Sequence, residues 1–267
     1  METGAQASRG LDSDGLTEAR FLDGLASASQ VDRHRLGGPG TTVVGRADRA
    51  GSGALACYRT HRHLLVWGDP AVVGRVTTLQ ADVALGPDEL DGCLSAVGFS
   101  LRTAVRSNVL DGAPVAPRSL PEGYRHRWLD EDDPATRPTV AAFVASCEPD
   151  DVEAAGLDDL EAFDETAINV VTVPSDVEGD GSPVVAYASA APWDWDPAFA
   201  DIGVLVHGGH RFRGLARTVV AHTVARLHSA GRLPLYRHEL TNPGSAATAA
   251  AVGFRPVATL WYFVSDS

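Results

Sequence analysis

The sequence predicts an α/β chain with a mixed sheet, built as two modules of unequal size. Three observations point there. Short β-prone runs alternate with helical patterns along nearly the whole length. Residues 111–123 set Pro114, Pro117 and Pro121 among Gly, Ala and Ser with no sustained periodicity, as linkers do. The tetrapeptide Ala96-Val97-Gly98-Phe99 returns as Ala251-Val252-Gly253-Phe254, each time after a small-residue helix and before a β-prone run, which suggests two related halves. The expected division is a disordered tail at 1–15, a smaller α/β domain at 16–112, a linker at 113–122 and a second domain at 123–267.

In the first domain, 17–28 reads as a helix, 36–40 as a Gly/Pro loop, and 41–44, 55–59 and 64–67 as short strands. Pro70 and Pro87 each stand in the first turn of a helical pattern, running to 79 and 96. In the second domain, 124–129 reads as a strand, 139–146 as a helix and 150–160 as an acidic helix. Apolar strands at 167–173 and 184–190 flank a polar turn at 175–182, which makes a hairpin. A strand at 202–206, a helix at 214–229, a strand at 235–240, a helix at 245–252 and a closing strand at 257–264 complete the chain.

Composition removes several chemistries. Each of the 22 basic residues is Arg, so no amine side chain exists for a Schiff base or a phosphate-binding lysine. The net charge of −13 argues against nucleic acid or an anionic membrane as partner. Residues 130–165 hold thirteen acidic groups against Arg137 alone, a solvated face or an attractor for a cationic substrate. Cys57, Cys93 and Cys147 form no C-x-x-C pair and no disulfide framework, which fits a reduced, cytoplasmic chain. Residues 1–15 hold no apolar core of signal-peptide length, and no stretch approaches the length of a membrane span. His61-x-His63, which alternation on a strand would put on one face, and His207-x-x-His210 have metal-like spacing but lack a third ligand, so no metal is expected.

The stretch from Asp201 to Ala216 carries the chemistry. An apolar strand runs into a glycine-bearing turn and then a helix whose stripe is Leu215, Val219, Thr223 and Leu227. The first amides of that helix, from about Phe212 to Ala216, lack intrahelical partners and face any anion set above them. Arg211 and Arg213 add positive charge, Gly214 allows close approach, and Ala216 leaves the first turn clear. These features make a pyrophosphate cradle without lysine.

Arg211-x-x-Gly214-x-Ala216 resembles the R/Q-x-x-G-x-G/A motif of the GCN5-related N-acetyltransferases (GNAT), with Val206 ending the preceding strand. Asn242-Pro243-Gly244-Ser245 and the closing Ala251-Val252-Gly253-Phe254 follow in the family's order, and the likeness spans about residues 120 to 267. The resemblance implies a C-terminal GNAT fold that moves acetyl from acetyl-CoA directly to an amine, on a small molecule or a peptide. It implies that the strands at Leu205-Val206 and 235–240 splay apart to bind pantetheine, and that the diphosphate rests on Arg211 to Arg217, with Phe212, Arg213 and Leu215 in that turn and Asn242 nearby. A homodimer is compatible with this.

Removing a proton from the amine requires a base. Asp201 comes first, at the start of the motif strand, unless it pairs with an Arg; Glu239 comes second. The Tyr that the family often uses as general acid is Ala249 here, so either no acid is required or Ser245, Tyr236 or water serves. Ser245 reads first as the N-cap of the last helix and second as a pantetheine contact. Trp193, Trp195 and Phe199 either line the acceptor pocket or cap the core beneath their loop. Trp67-Gly68-Asp69-Pro70 opens a helix in the first domain without the Arg-Gly-Ala motif, so that domain is expected to be a degenerate, non-catalytic GNAT-related module.

Overall fold

The computed structural model describes residues 16–79, 87–157, 166–173 and 183–266. The tail at 1–15, the polar turn at 175–182 and the end of the acidic helix at 158–160 lie outside the described residues. Helices α1 (Leu16–Ser29) and α2 (Arg33–Gly37) precede strands β1 (Gly40–Gly45), β2 (Ala54–Thr60) and β3 (His63–Gly68). Then come α3 (Pro70–Val73), a 3-10 turn, α4 (Pro87–Ser95) and β4 (Phe99–Val109). The second half contributes β5 (Arg125–Trp128), α5 (Thr136–Val144), α6 (Pro149–Ala154), β6 (Thr166–Thr172), β7 (Val184–Pro192) and β8 (Phe199–Val206). It continues with α7 (Leu215–Ser229), β9 (Leu233–Glu239), α8 (Pro243–Val252) and β10 (Arg255–Ser265).

Among the described residues the strands form one mixed sheet, ordered β1-β3-β2-β10-β4-β9-β8-β7-β6-β5. The last strand of each half lies between two strands of the other half: β10 runs antiparallel to β2 and β4, and β4 pairs on its other side with β9. Phe21 and Leu25 of α1 pack with Trp193, Phe199, Leu235 and Val257 of the second half in one buried cluster. Full burial of each such side chain is worth about 1.5–3 kcal/mol, so this shared core resists separation of the halves.

Alternation along β8 sorts its neighbours. Phe199 lies under α1 and Leu205 under α5 and α6, while Ala200 and Ile202 pack beneath α7 through Leu215, Val219 and Val224. The interval between residues 199 and 206 is therefore covered on both faces before it reaches the turn into α7.

Three local expectations are corrected. The segment expected as a loop from Leu36 begins inside α2, whose start is fixed by Asp32 accepting from the His34 N–H at 2.8 Å. The N-cap of α8 is Asn242, not Ser245: its Oδ1 accepts from the Ser245 N–H at 2.9 Å, and Pro243 occupies the first helical position, where its missing N–H costs nothing. His61 sits in the turn between β2 and β3, so it shares no strand face with His63. Both ring nitrogens of His63 are engaged within the fold, at 3.1 Å from the Gly38 carbonyl and 3.0 Å from Thr42 Oγ1.

Candidate functional site

Strands β8 and β9 run parallel and pair only from Phe199 to Asp201, against Leu233 to Leu235. Beyond that point β8 keeps its pairing with β7, from Ile202 opposite Ala190 to Val206 opposite Ala186, and β9 keeps its pairing with β4 as far as Glu239. The two strands diverge, and the backbone groups on their facing edges lose their partners inside the sheet. Unpaired peptide groups of this kind need a ligand or water.

The gap opens into a cavity of about 1200 Å³, room for an extended ligand. At one end stands the turn before α7. The His207 N–H donates to the Val185 carbonyl at 3.0 Å, and His207 Nδ1 accepts from the Gly209 N–H at 3.2 Å, which fixes the chain as it leaves β8. Two residues then adopt left-handed backbone, Phe212 (φ 60°) and Gly214 (φ 76°). Gly214 is the N-cap of α7 and has no side chain to accept from the amides of Leu215, Ala216 and Arg217. These three residues line the cavity with the helix dipole behind their N–H groups, an arrangement suited to an anion.

The charge around this turn is divided. The Arg211 guanidinium is hydrogen-bonded to the Asp151 carboxylate of α6 and reaches the Val206 carbonyl at 3.4 Å. Arg211 therefore ties the motif strand to α6. Arg213 and Arg217 make no ion pair among the described residues.

No family model matches the chain, and no curated protein does. Among solved structures, a tandem GNAT protein from the clavulanic acid biosynthesis pathway aligns over 96% of this chain and 96% of its own, with a TM-score of 0.50 and 16% identity. The chain has the tandem GNAT fold. A GCN5-related N-acetyltransferase from Sphaerobacter thermophilus aligns over 79% of this chain and 76% of its own, with a TM-score of 0.47 and 14% identity. One from Kribbella flavida covers 67% and 64%, with a TM-score of 0.46 and 16% identity.

At the other end of the cavity in this GNAT fold, the two faces of the opened sheet carry different groups. Asp201 Oδ2 accepts from Arg237 Nε at 2.8 Å and from Arg237 Nη2 at 2.5 Å. The pairing alternative for Asp201 is thus the one observed. Burial opposes charge on Arg237, but the Asp201 carboxylate outweighs it and holds the guanidinium above its ordinary pKa. Glu239 accepts from Thr103 Oγ1 at 3.0 Å and from Thr241 Oγ1 at 3.4 Å, and has no ion pair among the described residues. On the α8 side, the Tyr236 and Ser245 hydroxyls are 2.8 Å apart. Burial pushes the Tyr236 phenol up to about 12.

Asp201, Glu239, Ser245 and Asn242 all line this cavity, as do Leu205, Val206, Arg211 and Phe212, and Gly214 through Arg217. Arg213 alone of the residues expected at the site stays outside its wall. The wall formed by α6 and its end, through Asp151 and Glu153 to Gly156, is not among the sites read from the sequence. One signal was available: at Gly203 a β-carbon would stand 3.1 Å from the Ala155 carbonyl, so the strand needs glycine where α6 approaches.

Trp193 and Trp195 mainly cap the core. Trp193 stacks on Phe21 at 5.2 Å, and Trp195 meets Tyr58 and Trp67 edge-on at 5.1 and 5.2 Å. Only Trp193 also touches the cavity. In the first half, the turn from β3 into the short helix α3 is capped from within. Asp69 Oδ1 accepts from the Ala71 N–H and Oδ2 from the Gly53 N–H, both at 2.9 Å, and Pro70 has no N–H to offer.

Proposed function

We propose that the protein is an acyl-CoA-dependent N-acyltransferase that moves acetyl from acetyl-CoA to a small-molecule or peptide amine by direct attack. The observation that carries this reading is the continuity of one cavity from the uncapped amides of Leu215–Arg217 to the open edges of β8 and β9. The amides fit a diphosphate, and the strand edges fit the amide groups of pantetheine. Residues 123–267 supply this site. Residues 16–112 serve as a non-catalytic module, which gives the cavity wall Val105 of β4.

In the reaction, the acceptor nitrogen bonds to the thioester carbon, the carbon–sulfur bond breaks, and coenzyme A leaves as a thiolate that takes up a proton. One group must accept the ammonium proton. Arg237 already holds Asp201 Oδ2 with two N–H donors, so protonation there would break both bonds. Glu239 meets only hydroxyl donors, and we assign it as the base, ahead of Asp201. The Tyr236–Ser245 pair supplies the proton to the leaving sulfur, in place of the Tyr that Ala249 lacks.

A panel of primary amines with acetyl-CoA, followed by release of free thiol, tests this reading; turnover of any amine supports it. A second reading, an acyl-CoA-binding module without transfer, is favoured by the ion pair that occupies Asp201. Calorimetric binding of acetyl-CoA with no thiol release across the panel would select it.

A further inference from the structure

Phe212 is placed where a bulky side chain is disfavoured on two counts. Its φ of 60° is left-handed, a region where a β-carbon crowds the neighbouring carbonyl and where glycine or asparagine is at ease. Its ring is fully exposed, and it joins none of the apolar clusters among the described residues. Yet Phe212 lines the cavity beside Arg211 and Gly214, three residues before the first bare amide of α7. Strain that persists at a binding turn marks a side chain held in place for a ligand.

A diphosphate on the amides of Leu215–Arg217 has two ends. One runs into the gap between β8 and β9, where the unpaired strand edges lie. The other leaves on the open side of the turn, where Phe212 projects into solvent. In an acyl-CoA that outward end is adenosine, and a flat base meeting a free phenyl face stacks on it without needing a hydrogen-bond partner.

We propose that Phe212 is the stacking platform for the adenine base of the acyl-CoA donor, so that the turn reads the nucleotide end of the molecule while β8 reads the thioester end. This rests on the acyl-CoA reading above. The full chain is titrated by calorimetry with acetyl-CoA and, separately, with S-acetyl-4′-phosphopantetheine, which lacks the adenosine together with its 3′-phosphate and one phosphate of the diphosphate. Phe212→Gly is expected to lose about tenfold in affinity for acetyl-CoA and nothing for the phosphopantetheine, while melting at a higher temperature because the left-handed strain is gone. Phe212→Trp is expected to keep the wild-type affinity for both.

Equal loss on both probes, or no loss on either, overturns the role given to Phe212. If the wild-type chain binds both probes equally well, this inference falls and the acyl-CoA reading stands. If it binds neither, the acyl-CoA reading falls and takes this inference with it.

Discussion

The hydroxyl of Tyr236 lies 2.8 Å from Ser245 Oγ, joining a buried residue of β9 to the half-buried first turn of α8 across the cavity wall. With its phenol pushed up to about 12 by burial, Tyr236 keeps its proton at neutral pH and can give it to a departing thiolate through Ser245. Tyr236→Phe is expected to lower kcat about 10²-fold while leaving the KM for acetyl-CoA within about twofold. Ser245→Ala is expected to lower kcat less, because water can replace one hydroxyl. An unchanged kcat in Tyr236→Phe would remove the proton-donor role.

The two carboxylates at the other face should separate by their partners. Glu239→Gln removes the assigned base and is expected to depress kcat by about 10²-fold. Asp201→Asn is expected to act mainly on the fold, since it weakens the charge-assisted contact with Arg237. Steady-state rates and melting curves on both variants decide the order. A larger kcat loss in Asp201→Asn, with its melting temperature unmoved, would reverse the assignment.

Gly214 offers a cleaner test of the α7 turn. A β-carbon there would meet nothing within 4 Å, so the cost of Gly214→Ala is that of its φ of 76°. That cost is about 1–2 kcal/mol, a fall in melting temperature of about 2–8 °C for a chain of this size. Affinity for acetyl-CoA should fall with it, as the turn relaxes and the Leu215–Arg217 amides rotate off their common target. Gly208, equally unobstructed and without a positive φ, is the control; Gly208→Ala should stay within about 0.5 kcal/mol.

The parts of this molecule legible in its sequence are those governed by local rules. The run from Ile202 through Leu227 declared itself because alternation, a glycine demanding left-handed backbone and a four-residue apolar stripe occur in succession. Strand β4 was harder to place. Its sequence, FSLRTAVRSNV, mixes Arg102 and Arg106 with apolar residues, and its pairing comes from Tyr236, Leu260 and their neighbours more than a hundred positions away. Nor does any local pattern say that β10 crosses to lie beside β2, or that Arg237 closes on Asp201. The Asn242 cap was readable from Pro243 at the first helical position, a signal that Ser245 obscured by being an equally good capping residue.

The last prediction concerns pH. His126 of β5 and His222 of α7 stack with ring centroids 3.7 Å apart. Asn169 donates through Nδ2 to Thr223 Oγ1 at 2.7 Å, so its Oδ1 is the acceptor and the His126 Nε2–H the donor, at 3.1 Å. Burial first, then the neighbouring His222 ring, lowers the His126 pKa to about 4; burial also lowers those of His222 and His63. A histidine whose pKa is depressed by folding is neutral in the native state while its unfolded counterpart takes up a proton, so the unfolded chain binds more protons between the two values. Stability is therefore whole above about pH 6.5 and declines as the pH falls toward about 4. Carboxylates held low by their partners, such as Asp69 and Asp196, contribute losses only near and below their ordinary value of 3.8, which separates the two effects. Melting curves at half-unit steps should show the decline between pH 6.5 and 4 in the wild-type chain and a shallower one in His126→Gln, whose amide can still donate to Asn169. Parallel curves for the two proteins would show that the stacked pair contributes nothing to the acid response.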